Sequence, residues 1–339
     1  MKSIRTTILI LFCLIWLAGG TTYFYKLADQ VGVVNDSYRY GDLYRLSNLS
    51  AFKAKHPTCE KYQPIAHYES KKPVHLFIIG DSFTEKERIG KENFAGATYH
   101  YTHWSQILHF KPDTSAINIV ILETVERHFR EKFTNSPIGN VRNDSATFNA
   151  TSETPLVYEL DQLFRASSSE SRFDQLLFQN DFSLKIKEAK ANFNYKFFDR
   201  VNKEVTLVNH GKDIVYYMDT DVPNITSSFT ELPDSTVNAM VNNLNESELI
   251  LKKLGFDNVL LSVIPNKVSV VDPTYAEYNQ LIPKITQHPK LKMDVINIFT
   301  EFQKMGSAAY LISDSHWTCE AQNRWIKKAN EAIYNLVRK

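Results

Sequence analysis

Val74-His75-Leu76-Phe77-Ile78-Ile79-Gly80-Asp81-Ser82-Phe83-Thr84 is the stretch on which the fold turns. Its first six residues are apolar and β-favouring apart from His75. They are too few for a stable helix, so they read as a buried strand. Gly80 breaks the strand. A serine at such a strand-to-loop turn projects its hydroxyl at the carboxyl edge of the sheet, where open α/β sheets place their ligands. Ser82 is therefore the candidate nucleophile. A serine hydroxyl attacks only when a base takes its proton, so the reading requires a histidine and an acid to orient that histidine. The far end of the chain supplies both, in Asp314-Ser315-His316-Trp317. In an extended loop, residues two apart point the same way, which would bring Asp314 and His316 side by side.

Other segments continue the alternation that the first strand begins. Ile117 to Leu122 is a second apolar strand, followed by Glu123-Thr124-Val125-Glu126-Arg127. If the strands are parallel, Glu126 and Arg127 share the sheet edge of Ser82. Val259 to Ile264 is a further strand and passes into Pro265-Asn266-Lys267; Asp294 to Phe299 reads as another. Asp234 to Leu254 has helical spacing and is closed by Gly255. A helix opening at Thr318 carries Ala321, Trp325, Ala329, Ile333 and Leu336 on one face, the pattern of a helix laid on a sheet. Strands alternating with helices predict an α/β fold with a mostly parallel sheet covered on both faces. Val205 to Tyr217 reads as a hairpin around Asn209-His210-Gly211, and Ser183 to Val201 as helical. Residues 131 to 180, rich in Ser, Thr and Asn, read as an irregular insertion, and no separate second domain is evident.

The serine turn and the terminal Asp-x-His-Trp together resemble the SGNH hydrolase superfamily, in its alginate O-acetyltransferase-like branch. Glu123 to Arg127, Val263 to Lys267 and Tyr278-Asn279 support the resemblance, which covers roughly residues 74 to 330. It implies a flavodoxin-like parallel sheet and a triad of Ser82, His316 and Asp314. No Gly-x-Asn-Asp string is present to build the usual oxyanion hole. The resemblance assigns that role to Arg127 beside the Ser82 N–H.

With 339 residues, 43% of them hydrophobic, the chain can pack a large core. Lys and Arg number 39 against 38 acidic residues, and without a basic field nucleic acid is excluded as a partner. Residues 1 to 25 carry Lys2 and Arg5, then eleven apolar residues from Ile8 to Ala18, then Gly19-Gly20 and the aromatics Tyr23 to Tyr25. The run fits a signal-peptide core cut after Gly20. Counted through Tyr25, its 18 residues also fit the roughly 17 to 25 of a bilayer span. We read it as an uncleaved single-pass anchor in the cell inner membrane, with residues 26–73 as a linker and packing segment and 74–339 as an extracytoplasmic (periplasmic) catalytic domain with an insertion around 131–217. Cys13 lies in the run. Cys59 and Cys319 are then the two exported thiols, a number compatible with one disulfide. Tyr38 to Phe52 mixes aromatics with arginines, as packing or as a sugar-facing surface, and Pro57 to Lys72 reads as a linker.

His100 and His103 could share a helix face, but no third ligand stands at a telling distance, so no metal is assigned. That segment reads as a wall of the pocket, with Trp104, like Trp317, placed to stack on a sugar or to pack. The triad chemistry needs no cofactor. Taken with the resemblance, the expected activity is O-acyl transfer, with acetyl as the group, to a cell-envelope polysaccharide through an acyl-serine. A multi-spanning membrane protein would supply the acyl group. The alternatives are a carbohydrate O-acetylesterase with the same triad, and a non-catalytic envelope protein that binds polysaccharide or partner proteins.

Overall fold

The computed structural model describes residues 2–31, 34, 39–60, 62–64, 68, 70–144, 150–164 and 169–338. Tyr38 and parts of the 57–72 and 131–180 segments lie outside the described residues. The chain divides into two units, residues 56–153 with 203–339, and residues 1–55 with 154–202. The sequence gives no sign of this division.

Among the described residues, the larger unit holds ten strands: β1 Val74–Gly80, β2 Thr98–His103, β3 Ile107–Phe110, β4 Ile117–Val125, β5 Val141–Asn143, β6 Thr151–Glu153, β7 Val205–Val208, β8 Asp213–Tyr216, β9 Asn258–Ile264 and β10 Asp294–Val295. Five form the central sheet in the order β10-β9-β4-β1-β2, and every pairing in it is parallel. Numbered along the chain among themselves, these strands stand 2-1-3-4-5. The order reverses between β1 and β4, and such a switch point opens a crevice outside the carboxyl ends of those two strands. β1 and β4 bury successive side chains on both faces, which a sheet does only when both faces are covered. The helix Asp234–Leu254 buries Val237, Met240, Val241, Leu244 and Leu251. It ends at Gly255 with φ 109°, where a Cβ would come 2.5 Å from Pro112. Only glycine allows that turn and that approach.

Three expectations are revised. Residues 98–103, where His100 and His103 could have shared a helix face, are instead the edge strand β2. The strand expected over 294–299 pairs at Asp294 and Val295 alone. The supposedly irregular 131–180 segment contains the helices Leu156–Phe164 and Ser169–Phe178. The hairpin forms as expected: β7 and β8 pair antiparallel, and Asn209, His210 and Gly211 take positive φ in the turn.

The smaller unit is helical. Lys2–Gly20 is long and apolar enough to cross a membrane by length and composition. It stops at Thr21, whose Oγ1 accepts the Phe24 N–H and starts the helix Thr22–Gln30, so the span does not run on through Tyr25 as one helix. Arg172 donates to the terminal carbonyls of the first helix, from Nε to Gly19 O (2.8 Å) and from a terminal nitrogen to Gly20 O (3.2 Å). These are orphan acceptors of a helix end. Phe173 fills the space beside Gly19 that any side chain there would occupy.

Candidate active site

Ser82 lies two residues past the end of β1, in the turn that Asp81 and Glu123 build. The Asp81 carboxylate accepts the Phe83 N–H (3.2 Å) and the Val125 N–H (2.8 Å), which ties the serine turn to the end of β4. Glu123 accepts the Asp81 N–H (3.0 Å) and the Thr84 hydroxyl (2.7 Å) through one oxygen. Its pKa is pushed well above the ordinary carboxylate range, by complete burial first and by the neighbouring Asp81 second. It is packed, fully buried, under the turn. Gly80 is required by this arrangement: a Cβ would come 2.1 Å from Thr84 Oγ1 and 2.7 Å from Glu123 Oε2.

The base and acid lie on the segment between Tyr310 and Trp317, which a β-bridge between those two residues closes into a loop. Leu311 N–H donates to His316 O (3.0 Å) within it. Asp314 and His316 meet through a turn rather than an extended loop, because Asp314 Oδ1 accepts both the His316 N–H (2.8 Å) and the ring Nδ1–H (2.5 Å). With Nδ1 donating to the carboxylate, Nε2 is the acceptor, and Ser82 Oγ lies 2.8 Å from it. The structure thus brings together the three residues expected from the two ends of the sequence. The His316 ring rests on Phe83, with centroids 4.8 Å apart. Asp314 is buried and Ser82 half-buried. Burial alone would raise the Asp314 pKa, but the hydrogen bonds from His316 and the contact with His56 hold it well below the usual range, so it is ionised at any working pH.

His56 was not legible as a site residue. Its Nε2 lies 3.0 Å from Asp314 Oδ2, close enough for an ion pair but off the line of a hydrogen bond. The acid therefore has a histidine on each oxygen. What brings His56 there is the disulfide Cys59–Cys319, with Cα atoms 5.3 Å apart, which pins residues three beyond each histidine to one another. The expected pairing of the two thiols is formed.

The intervening motifs interlock beneath the triad. Glu126 Oε2 accepts the Asn266 N–H (2.9 Å) and the Ser269 hydroxyl (2.7 Å), while Oε1 accepts the Tyr278 hydroxyl (2.9 Å). Asn266 returns the bond by accepting the Arg127 N–H (3.0 Å). The ends of β4 and β9 are thereby locked together. Burial pushes the Glu126 pKa up to about 7 against these bonds, which favour the carboxylate. Lys267, 1% exposed, sends its side-chain nitrogen to Leu311 O (2.7 Å), Asp314 O (3.3 Å) and Ile312 O (3.4 Å), the carbonyls of the acid–base loop. The Glu-Arg and Asn-Lys motifs are thus the scaffold that positions the loop.

The remaining candidates fall in different places. Arg127 stands on the expected edge, since the parallel register pairs Ile79 with Leu122 and both strands end there. It is 6% exposed, with Nε 3.6 Å from Asp219 and its guanidinium 5.0 Å from the Tyr216 ring. Trp104 donates Nε1–H to Glu123 O (2.6 Å) and sits edge-on to Phe133, so its ring braces β4. Of the two readings of Trp317, stacking on a sugar or packing, the structure has packing: it is 2% exposed, among Phe83, Phe302 and Trp325. His100 and His103, three apart on a strand, point to opposite faces and meet Ser152 and Ser105. A cleft of about 500 Å³ opens beside His75, Thr98 and His100, at the amino ends of β1 and β2, away from the triad.

The arrangement can carry out nucleophilic catalysis: hydroxyl, imidazole in the right tautomer, and buried carboxylate stand in hydrogen-bonded sequence at a sheet switch point. Among the described residues, no acceptor is assigned to the Ser82 N–H, which leaves it available to an oxyanion. No protein-family model, no curated protein and no solved structure matches the chain.

Proposed function

We propose that the chain is a membrane-anchored serine O-acyltransferase of the SGNH type, acting outside the cytoplasmic membrane on a cell-envelope polysaccharide. The observation that carries the reading is the hydrogen-bonded run Ser82 Oγ, His316 Nε2, His316 Nδ1 and Asp314. Ser82 Oγ attacks the acyl carbonyl of the donor and its proton passes to His316 Nε2. The tetrahedral intermediate collapses, the donor oxygen leaves with that proton, and an acyl-serine remains. An acceptor hydroxyl then gives its proton to His316 and attacks the same carbonyl, which releases Ser82 and an acylated sugar. Asp314 stays ionised throughout and stabilises the imidazolium. The Ser82 N–H and, on the family resemblance, Arg127 would meet the oxyanion. The apolar first helix supports tethering near the membrane, and the disulfide fits an oxidising compartment.

The half-exposed Ser82 also suits hydrolysis, since water can reach an acyl-serine there. The two outcomes separate in one assay. Full-length protein in detergent micelles is given an acetyl-phenol donor with and without envelope oligosaccharides, and acetylated sugar is followed by mass. Transfer predicts acetylated oligosaccharide. Phenol release with free acetate alone assigns the chain as an esterase. A fluorophosphonate probe should label the native protein and not Ser82→Ala; equal labelling of both would remove the nucleophile and the proposal with it.

A further inference from the structure

The helix Asp181–Phe198 carries an apolar stripe that nothing in its own unit covers. Phe182, Ile186, Ala189, Phe193 and Phe197 recur at steps of four, three, four and four residues, which places them on one face. Phe182 is 74% exposed, Ile186 56%, Phe193 53% and Phe197 63%. The opposite face is the one that packs: Leu184 is buried, and Glu188 accepts the Tyr44 hydroxyl and the Lys53 ammonium. The stripe is therefore a surplus of apolar surface on a helix already fixed from behind.

Its borders are basic. At about 100° per residue, Lys185 and Lys196 fall on one side of the stripe and Lys190 on the other, all three exposed. The two acids of the helix lie off the stripe and are engaged, Asp181 with Arg39 and Glu188 with Lys53. Aromatic rings flanked by lysines suit the boundary between acyl chains and headgroups, where ammonium groups reach up to phosphates while their stems cover apolar surface.

The position in the chain also points to lipid. The preceding helix, Ser169–Phe178, is the one whose Arg172 and Phe173 seat on Gly19 and Gly20, the end of the apolar first helix. From Phe173 to Phe182 is nine residues, five steps within the helix and four through the break after Phe178, at most about 22 Å. Leu177 and Phe178, in between, are themselves exposed. The stripe thus starts close to the end of the span, within the same unit.

We propose that the helix Asp181–Phe198 lies in the interface of an anionic bilayer, with its Phe182–Ile186–Phe193–Phe197 face among the lipid headgroups and upper acyl chains. This rests on the reading of the first helix as an anchor. It makes the smaller unit a platform held to the membrane by two elements, one crossing and one lying flat.

The test uses the full chain with Cys13→Ser, reconstituted in vesicles of phosphatidylcholine and phosphatidylglycerol and carrying one environment-sensitive nitrobenzoxadiazole label. Labels go at Ile186→Cys or Phe193→Cys on the stripe, at Tyr195→Cys off it, and at Leu14→Cys in the first helix. The stripe labels should shift to the blue and lose most of their intensity to lipids spin-labelled near the headgroup, and the Tyr195 position should do neither. Shallow quenching should weaken in vesicles of phosphatidylcholine alone. Unquenched stripe labels with a deeply quenched Leu14 label would overturn the proposal and leave the anchor standing. If the stripe labels are unquenched but shift to the blue as protein density rises, the occupant is a second copy and the lipid assignment is wrong. A Leu14 label beyond reach of deep quenchers removes the anchor reading, and the stripe labels then decide the surface helix by themselves.

Discussion

Lys267→Met tests whether the acid–base loop is positioned by the scaffold under it. Methionine keeps most of the buried volume and removes the nitrogen that serves Leu311 O at 2.7 Å, Asp314 O at 3.3 Å and Ile312 O at 3.4 Å. Ile312 is exposed, so water can replace the lost donor at its carbonyl. The Leu311 and Asp314 carbonyls lie on residues that are partly or fully buried. At about 1–3 kcal/mol for each acceptor left without its donor, the two give a loss of roughly 2–6 kcal/mol. Relief from burying an ammonium offsets part of this, which places the expected value toward the lower figure. Activity should suffer more than stability suggests. A loop freed at three carbonyls lets Asp314 and His316 drift from Ser82, and a misplacement of ~1 Å costs on the order of 10²-fold in turnover. Denaturant unfolding gives the first quantity, and the rate of phenol release from an acetyl-phenol the second. Arg324→Ala, which breaks an exposed helical pair with Glu320, is the control and should change stability by less than ~0.5 kcal/mol. A Lys267→Met protein that matches wild type in both measurements would refute the positioning argument.

Glu126 supplies a pH dependence of definite sign. Its folded pKa of about 7 lies above the ordinary 4.5, so the folded chain holds the proton longer than the unfolded one. This group's contribution therefore falls as pH rises from 4.5 through 7, by about 3 kcal/mol in all. Glu126→Gln should flatten the unfolding free energy between pH 5 and 8 relative to wild type, and parallel curves for the two proteins would contradict it. Reduction of Cys59–Cys319 opens a loop spanning 260 positions and should lower stability by roughly 3–5 kcal/mol. Unfolding with and without dithiothreitol checks this, and an unchanged midpoint would show that the bond does not clamp the fold.

What the sequence shows and what it hides follow from how far each feature depends on distant residues. β1, β4 and β9 are legible because a strand buried on both faces is an apolar run, and each run is local. Ser82, Asp314 and His316 are legible as two short motifs, though their 2.8 Å meeting depends on the parallel order of the sheet. β2 is hidden, because an edge strand with His100 and His103 among its six residues carries no apolar run. His56 is hidden for another reason: it reaches Asp314 through a disulfide between residues 260 positions apart, and nothing around it hints at that. Trp317 has the composition of a sugar platform and the position of a core residue, a choice made by Phe302 and Trp325. The helices Leu156–Phe164 and Ser169–Phe178 are obscured by the Ser- and Thr-rich sequence around them, whereas Asp181–Phe198 is legible as a helix from Ser183 onward.

The two halves of the site are held by different means, and this decides how each can fail. The nucleophile is fixed from within the sheet: the Asp81 carboxylate accepts the Val125 N–H, and Glu123 fills the space that Gly80 leaves. That half is held by bonds buried in the sheet, and burial pushes the Glu123 pKa well above the range in which carboxylates ordinarily titrate. The acid–base half hangs on a loop, on the nitrogen of Lys267, and on a segment drawn in by a disulfide. His56 and His316 take opposite oxygens of one carboxylate, so freeing the first removes an imidazole from beside a buried Asp314. Reduction should therefore lower turnover at concentrations of denaturant too small to unfold the sheet, while fluorophosphonate labelling of Ser82 falls by less. Loss of both in parallel would mean that the two halves stand or fall as one.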